Sequence, residues 1–160
     1  MHRFYWLDEG RLAGCSRPGA RPGRTGAADD LRDDLHELAA QGIGAVLTLT
    51  ETPLPEEDVA AAGLVALHLP IVDFAAPGPD QFPAALRFID EHHGAGRAVA
   101  VHCLAGQGRT GSILAATRIR AGATASEAIA AVRSVCPGAV ESAEQVASLE
   151  AYARERSWLT

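Results

Sequence analysis

Residues 102–111 read His-Cys-Leu-Ala-Gly-Gln-Gly-Arg-Thr-Gly. Before them, Ala98, Val99, Ala100 and Val101 are apolar and suit a strand. After them, residues 112–119 carry apolar side chains at helical spacing. Strand, tight loop and helix must therefore follow one another here, with a thiol at the start of the loop and a guanidinium at its end. Five residues separate Cys103 from Arg109, and three of them are small.

Such a segment is built to hold an anion. A helix N-terminus carries unpaired N–H groups and a partial positive charge. A loop curling over that terminus adds further N–H donors in a concave nest. Gly106 and Gly108 let the backbone turn and approach an anion closely. Arg109 offers a planar fork for two phosphate oxygens. The same field favours a thiolate over a thiol, which makes Cys103 a candidate nucleophile. The hydroxyl of Thr110 is positioned to donate to the sulfur, and His102, at the strand's end, to brace the loop. The expected substrate-binding residues are Leu104, Ala105, Gly106, Gln107, Gly108 and Arg109.

The spacing alone is a weak signal. Cys15 and Arg21 repeat it, and Gly23-Arg24-Thr25-Gly26 repeats the tetrapeptide. That copy contains Pro18 and Pro22, with no apolar strand before it and no helix directly after Arg21. It reads as a surface loop with an inert cysteine.

His-Cys-x-x-Gly-x-Gly-Arg-Thr-Gly resembles the signature of the cysteine-dependent protein tyrosine phosphatase superfamily. Leu69-Pro70-Ile71-Val72-Asp73-Phe74, then Pro77-Gly78-Pro79-Asp80-Gln81, then the stretch from Arg133 to Gln145, resemble the small atypical dual-specificity phosphatases within it. The resemblance runs from about Gly10 to Tyr152 and departs at residues 15–30, a Pro/Gly/Arg-rich stretch that reads as an insertion. It implies phosphomonoester hydrolysis through a phosphocysteine, with Cys103, Arg109, Asp73 and Thr110 as the catalytic set.

Phosphoryl transfer needs a proton on the departing oxygen. Two upstream carboxylates suit a closing loop. Asp73 follows a strand and opens the loop to Pro79. Asp80 precedes a helical pattern (Phe82, Leu86, Ile89), where N-capping is the simpler reading. The resemblance places the general acid at Asp73. Gln145 either orients a hydrolytic water or completes the capping box Ser142-Ala143-Glu144-Gln145, the stronger reading. Glu51, at a strand end, either lines the site or is solvated. His92 and His93 end a helix, where cations suit the dipole. No Cys/His spacing resembles a metal-ligand set, and no cofactor is expected.

At 160 residues the chain is long enough to bury one core as a single domain. No run of about 18 apolar residues is present, so no membrane span is expected. The N-terminus has no secretory pattern, and a cytoplasmic location is expected. Three cysteines without framework spacing fit a reducing compartment. Cys136, before Pro137, reads as a core or loop cysteine, a disulfide with Cys103 being the alternative. A net charge of −6, with no basic stripe, argues against nucleic acid. The partner is expected to be a phosphorylated protein or a small phosphomonoester, met by a monomer.

Residues 3–28 read as irregular, with a hairpin around Gly10. Helices are expected over 29–41, 55–62, 81–93, 110–121, 124–135 and 142–156, and strands over 45–49, 64–69 and 98–102. Alternating strands and helices imply an α/β fold, its central sheet mainly parallel and flanked by helices, with the loop beyond the carboxyl end of a central strand. The resemblance makes that fold protein tyrosine phosphatase-like, of the dual-specificity subtype.

Three other readings compete. Phosphoinositide phosphatases of this superfamily often carry Lys in the loop, whereas Leu104, Ala105 and Gln107 are neutral. A phosphate-binding module without turnover would not need all three chemical groups. A sulfur-transfer or arsenate reductase-like thiol enzyme would make Cys15 or Cys136 essential.

Overall fold

The run Ala98–His102 forms a strand buried at every residue. Its side chains alternate between two apolar clusters: Val99 and Val101 join one, Ala98 and Ala100 the other. Successive strand side chains point to opposite faces, so a wholly apolar strand needs cover on both sides.

The computed structural model describes residues 1–23 and 26–157. The strands are β1 (Phe4–Asp8), β2 (Leu12–Cys15), β3 (Ile43–Thr48), β4 (Val65–His68) and β5 (Ala98–His102). The helices are α1 (Ala28–Ala40), α2 (Glu56–Ala61), α3 (Gln81–Gly94), α4 (Gly108–Arg120), α5 (Ala125–Val135) and α6 (Ala143–Ser157). The sheet order is β1-β2-β5-β3-β4, with β5 at its centre. Only β1 and β2 pair antiparallel, and the remaining neighbours are parallel. The expected mainly parallel α/β sheet is therefore present. Helices α3 to α6 cover one face, where Phe82, Ile89, Leu114, Val132 and Leu149 pack on Leu47, Val99 and Val101. Helices α1 and α2 cover the other through Leu35, Leu38 and Val59. Among the described residues no helix is long and apolar enough to cross a membrane.

The hairpin around Gly10 is present, but the rest of the stretch before residue 28 departs from expectation. Strand β2 lies parallel to β5, with Cys15 opposite His102. Cys15 is thus fully buried at a strand end, not in a surface loop. The strand escapes a propensity reading because it is four residues long and contains Gly14. A Cβ on Gly14 would lie 2.3 Å from the Tyr5 ring, so the glycine makes room for that side chain. The Cys15–Arg21 copy still builds no anion site. The Arg21 fork already donates to both Asp34 oxygens, at 2.7 and 3.0 Å. Of the repeated tetrapeptide, Arg24 and Thr25 lie outside the described residues.

Candidate active site

The loop from Cys103 to Gln107 leaves the carboxyl end of β5 and enters α4. Each of its five carbonyls is held from outside the pocket. His102 Nδ1 bonds the oxygen of Cys103 at 3.0 Å, and the Arg17 N–H bonds that of Leu104 at 3.0 Å. Arg3 Nη1 bonds the oxygen of Ala105. Tyr5 Oη donates to that of Gly106 at 2.7 Å, and the Gly111 N–H to that of Gln107 at 2.9 Å. The N–H groups of Leu104, Ala105, Gly106 and Gln107 find no acceptor among the described residues. Buried or half-buried amides are normally paired. Four open amides above a helix N-terminus form an anion nest. Gly106 has φ +76° and packs so closely on β2 that a Cβ would sit 2.5 Å from the Cys15 carbonyl. Gly108 is pressed likewise against Gln145.

His102 is fully buried, and burial pushes its imidazole down to about 4. It is therefore neutral. With Nδ1 facing a carbonyl, the proton belongs on Nδ1, and Nε2 accepts from Thr48 Oγ1 at 2.9 Å. His102 braces the loop, its one N–H committed to the Cys103 carbonyl.

A cavity of about 150 Å3 is lined by Cys103, Leu104, Ala105, Gly108 and Arg109 from the loop and α4, and by Asp73, Phe74, Glu141 and Gln145. The structure thus brings Cys103, Arg109 and Asp73 together. Gly106 and Gln107 do not line this cavity, although their N–H groups are among the four left open at the loop. Gln107 is the N-cap of α4, and its side-chain amide lies over Gly138.

Arg109 is 2% exposed and held on two sides. Nη1 donates to Glu51 Oε2 at 3.1 Å and to the Ile71 carbonyl at 2.8 Å, while Nη2 lies 3.0 Å from Asp73 Oδ1. Glu51 is therefore part of the site rather than merely solvated. Its Oε1 also accepts from the Asp73 N–H at 2.8 Å. Hydrogen bonds from its own backbone and from Asp73, and then Arg109, hold its carboxyl below the usual range. One carboxylate thus holds both the Arg109 guanidinium and the loop that carries Asp73.

That loop extends the edge of the sheet, since Ile71 N–H donates to the Leu49 carbonyl at 3.0 Å. Beyond Asp73, Phe74 adopts φ +62°, a left-handed conformation uncommon for an aromatic residue. The N-terminus of α6 holds the turn: Ser142 Oγ donates to the Phe74 carbonyl at 2.9 Å and Gln145 Nε2 to the Ala75 carbonyl at 3.2 Å. Gln145 is completely buried. Its Oε1 accepts from the Glu141 and Ser142 N–H groups, and its N–H donates to Ser142 Oγ at 3.2 Å. The capping box and the pocket position coexist in one residue. One Nε2 hydrogen remains unused.

Two further expected contacts are not made in this structure. Asp80 stands at the N-cap of α3 but its side chain makes no cap hydrogen bond; Gln81 ties that turn instead, accepting from the Gly78 N–H at 2.9 Å. Thr110 does not bond the sulfur. Its hydroxyl is buried and, among the described residues, is the one buried side-chain polar atom without a partner. Cys15, Cys103 and Cys136 are all buried with free thiols, and Cys136 packs in the core. Among the described residues no group of three or more His, Cys, Asp or Glu is placed to hold a metal ion.

Sequence reasoning missed Tyr5, Arg3 and Arg17, whose contacts join residues about a hundred positions apart. Burial pushes the Tyr5 phenol far above its ordinary value, so it serves as a donor. Replacing Tyr5 by Phe leaves the Gly106 carbonyl only the weak Cys136 Sγ donor at 3.9 Å, a loss of about 1–3 kcal/mol. We expect phosphate affinity and kcat/KM on p-nitrophenyl phosphate to fall together, by about tenfold. A lowered Tm with unchanged kcat/KM would show that the bond only stabilises the fold.

A protein family described as polymorphic toxin system, DSP-PTPase phosphatase matches residues 19–123. The tyrosine-protein phosphatase cdcA of Emericella nidulans is 34% identical over 116 residues, which are 69% of this chain and 19% of that protein. An uncharacterized protein of Methanocaldococcus jannaschii is 38% identical over 92 residues, 56% of this chain and 60% of that one. The chain thus spans a fifth to three-fifths of these relatives. Among solved structures, a mutant form of Tk-PTP superposes with a TM-score of 0.80 at 32% identity, covering 98% of this chain and 97% of that one. With its family match spanning residues 19–123, the chain belongs to the DSP-PTPase phosphatase family of polymorphic toxin systems.

Proposed function

We propose that this chain hydrolyses phosphomonoesters, as a protein tyrosine or dual-specificity phosphatase, through a phosphocysteine on Cys103. The observation that carries the reading is the loop's hydrogen-bond pattern: five carbonyls held outward, four amides left open, and a thiol and a guanidinium facing the same small cavity.

The amides and Arg109 hold the phosphoryl oxygens and stabilise the charge that spreads over them in transfer. Arg109 has five N–H donors. Three are engaged by Glu51, Ile71 and Asp73, which leaves two for phosphate. An incoming phosphate also competes with Asp73 for Nη2 and so frees the carboxyl toward the leaving group. The sulfur attacks phosphorus as the S–P bond forms and the ester P–O bond breaks. The proton of the Asp73 carboxyl goes to the departing oxygen. Water then forms a new P–O bond, the S–P bond breaks and Asp73 takes the water's proton, with Gln145's free N–H in reach of that water. The unpartnered Thr110 hydroxyl is available to the sulfur as it regains negative charge. The positive field comes from the chain itself, so no metal or cofactor is called for.

The substrate is a phosphorylated protein or a small phosphomonoester. The cavity is assembled from one chain, so a monomer suffices. Three buried free cysteines among the described residues suit a reducing compartment such as the cytoplasm.

The first experiment is hydrolysis of p-nitrophenyl phosphate and of an alkyl phosphate with EDTA present. Wild type is expected to turn over both. Asp73→Asn is expected to lose about 10²–10⁴-fold on the alkyl ester, whose leaving group needs the proton, and much less on p-nitrophenyl phosphate. Equal losses on the two substrates would remove Asp73 from the role of general acid.

A further inference from the structure

Beside the catalytic cavity runs a second and larger one, of about 750 Å3 against about 150 Å3. Leu104 and Ala105 line both, so the two adjoin at the loop. Residues 16–23, the start of α1 and the β3–α2 connection line it. Pro18, Pro22, Leu31, Pro53 and Pro55 make its walls largely apolar. Its size is that of a site for an extended ligand rather than a lone phosphate.

Arg17 lies between this groove and the loop. Its N–H bonds the Leu104 carbonyl. Its guanidinium donates to Thr50 Oγ1, the Thr52 carbonyl and the Pro53 carbonyl, all neutral acceptors. Three of five donors are thereby used and two remain. Among the described residues no carboxylate pairs with it. A half-buried cation lacking a counter-charge, at the junction of an apolar groove and an anion nest, is complementary to a carboxylate.

We propose that the groove is a substrate subsite for the protein segment flanking the phosphorylated residue, with Arg17 pairing to an acidic side chain beside that residue. The proposal rests on the phosphatase reading above. A peptide fits better than a polyphosphorylated headgroup. The walls are aliphatic and Pro-rich, Arg17 is a groove-lining cation whose hydrogen-bond acceptors are all neutral, and the loop side chains Leu104, Ala105 and Gln107 are neutral. The global charge of −6 would repel an acidic partner, so the attraction is local and its range short.

The test uses two phosphotyrosyl heptapeptides, one with aspartates on both sides of the phosphotyrosine and one with asparagines, beside p-nitrophenyl phosphate as a reference. Wild type is expected to prefer the aspartate peptide by about tenfold in kcat/KM, chiefly through KM. In Arg17→Gln that preference falls to about one, with rates normalised to p-nitrophenyl phosphate to remove any effect on the loop. Ala28→Trp, at an exposed position that lines the groove, is expected to weaken both peptides relative to p-nitrophenyl phosphate. Equal rates on the two peptides in wild type, or a preference that survives Arg17→Gln, would overturn the proposal. So would a soluble inositol bisphosphate whose KM depends on Arg17 when the peptides' does not. If wild type hydrolyses nothing, the phosphatase reading fails, and fluorescence anisotropy of the same peptides decides the subsite. Equal affinities for the two peptides then overturn it.

Discussion

Cys103→Ser is expected to lower turnover of p-nitrophenyl phosphate by about 10⁴-fold or more while leaving inorganic phosphate bound nearly as tightly as in wild type. The size follows from what is removed. A nucleophile is the step itself, and hydrolases that lose theirs retain only what binding and electrostatic stabilisation supply. The retained affinity follows from what stays. The four open amides and the Arg109 fork owe their positions to His102, Arg17, Arg3, Tyr5 and Glu51, none of which touches the sulfur through a hydrogen bond. Serine also adds little strain, since Cys103 is 3% exposed and an oxygen is smaller than a sulfur. Rapid quench of wild type with a labelled substrate should yield a covalent phosphoprotein absent from the variant. Substantial activity in Cys103→Ser, with phosphate binding intact, would assign the chemistry to another nucleophile and reduce the loop to a binding device.

The strand, loop and helix around Cys103 were legible because three local signals agree: an apolar β-permissive run, glycines at the turn, and helical spacing after Arg109. Agreement of that kind is what makes a segment specify one structure. Most element boundaries fall within two residues of expectation for the same reason. What was not legible depends on long-range packing. Strand β2 is four residues with a central glycine, and it exists because β1 and β5 flank it. Cys15 is buried by that pairing and not by its own surroundings in sequence. Gln145 shows how one residue carries two readings. Its capping pattern is local and visible, whereas its place in the cavity depends on α6 docking beside the loop. Asp80 shows the converse: it stands in the cap position but already has helical backbone angles, and the third residue of the helix, Pro83, has no N–H for it to cap. Glu51 could be placed at a strand end but not assigned, since the arginine it holds lies 58 residues away.

Arg109→Ala is expected to lower kcat/KM by about 10³–10⁵-fold, the range an arginine contributes when it stabilises a transferring phosphoryl group. Unlike the cysteine change, it should also weaken inorganic phosphate binding. Two causes add. The first is loss of a charge-assisted fork from a buried site, where such bonds exceed neutral ones in strength. The second is loss of the junction itself. Glu51, Ile71 and Asp73 all meet on this guanidinium, so its removal frees the Asp73 carboxyl from its one charged tether and leaves two carboxylates facing the phosphate. Arg109→Lys separates the two causes. It restores the positive charge as a point donor without the planar fork, and so should recover phosphate affinity more than turnover. Equal recovery of both by Lys would show that charge alone is needed. Recovery of neither would place the weight on the geometry through which one buried side chain binds the phosphate and holds the acid in place.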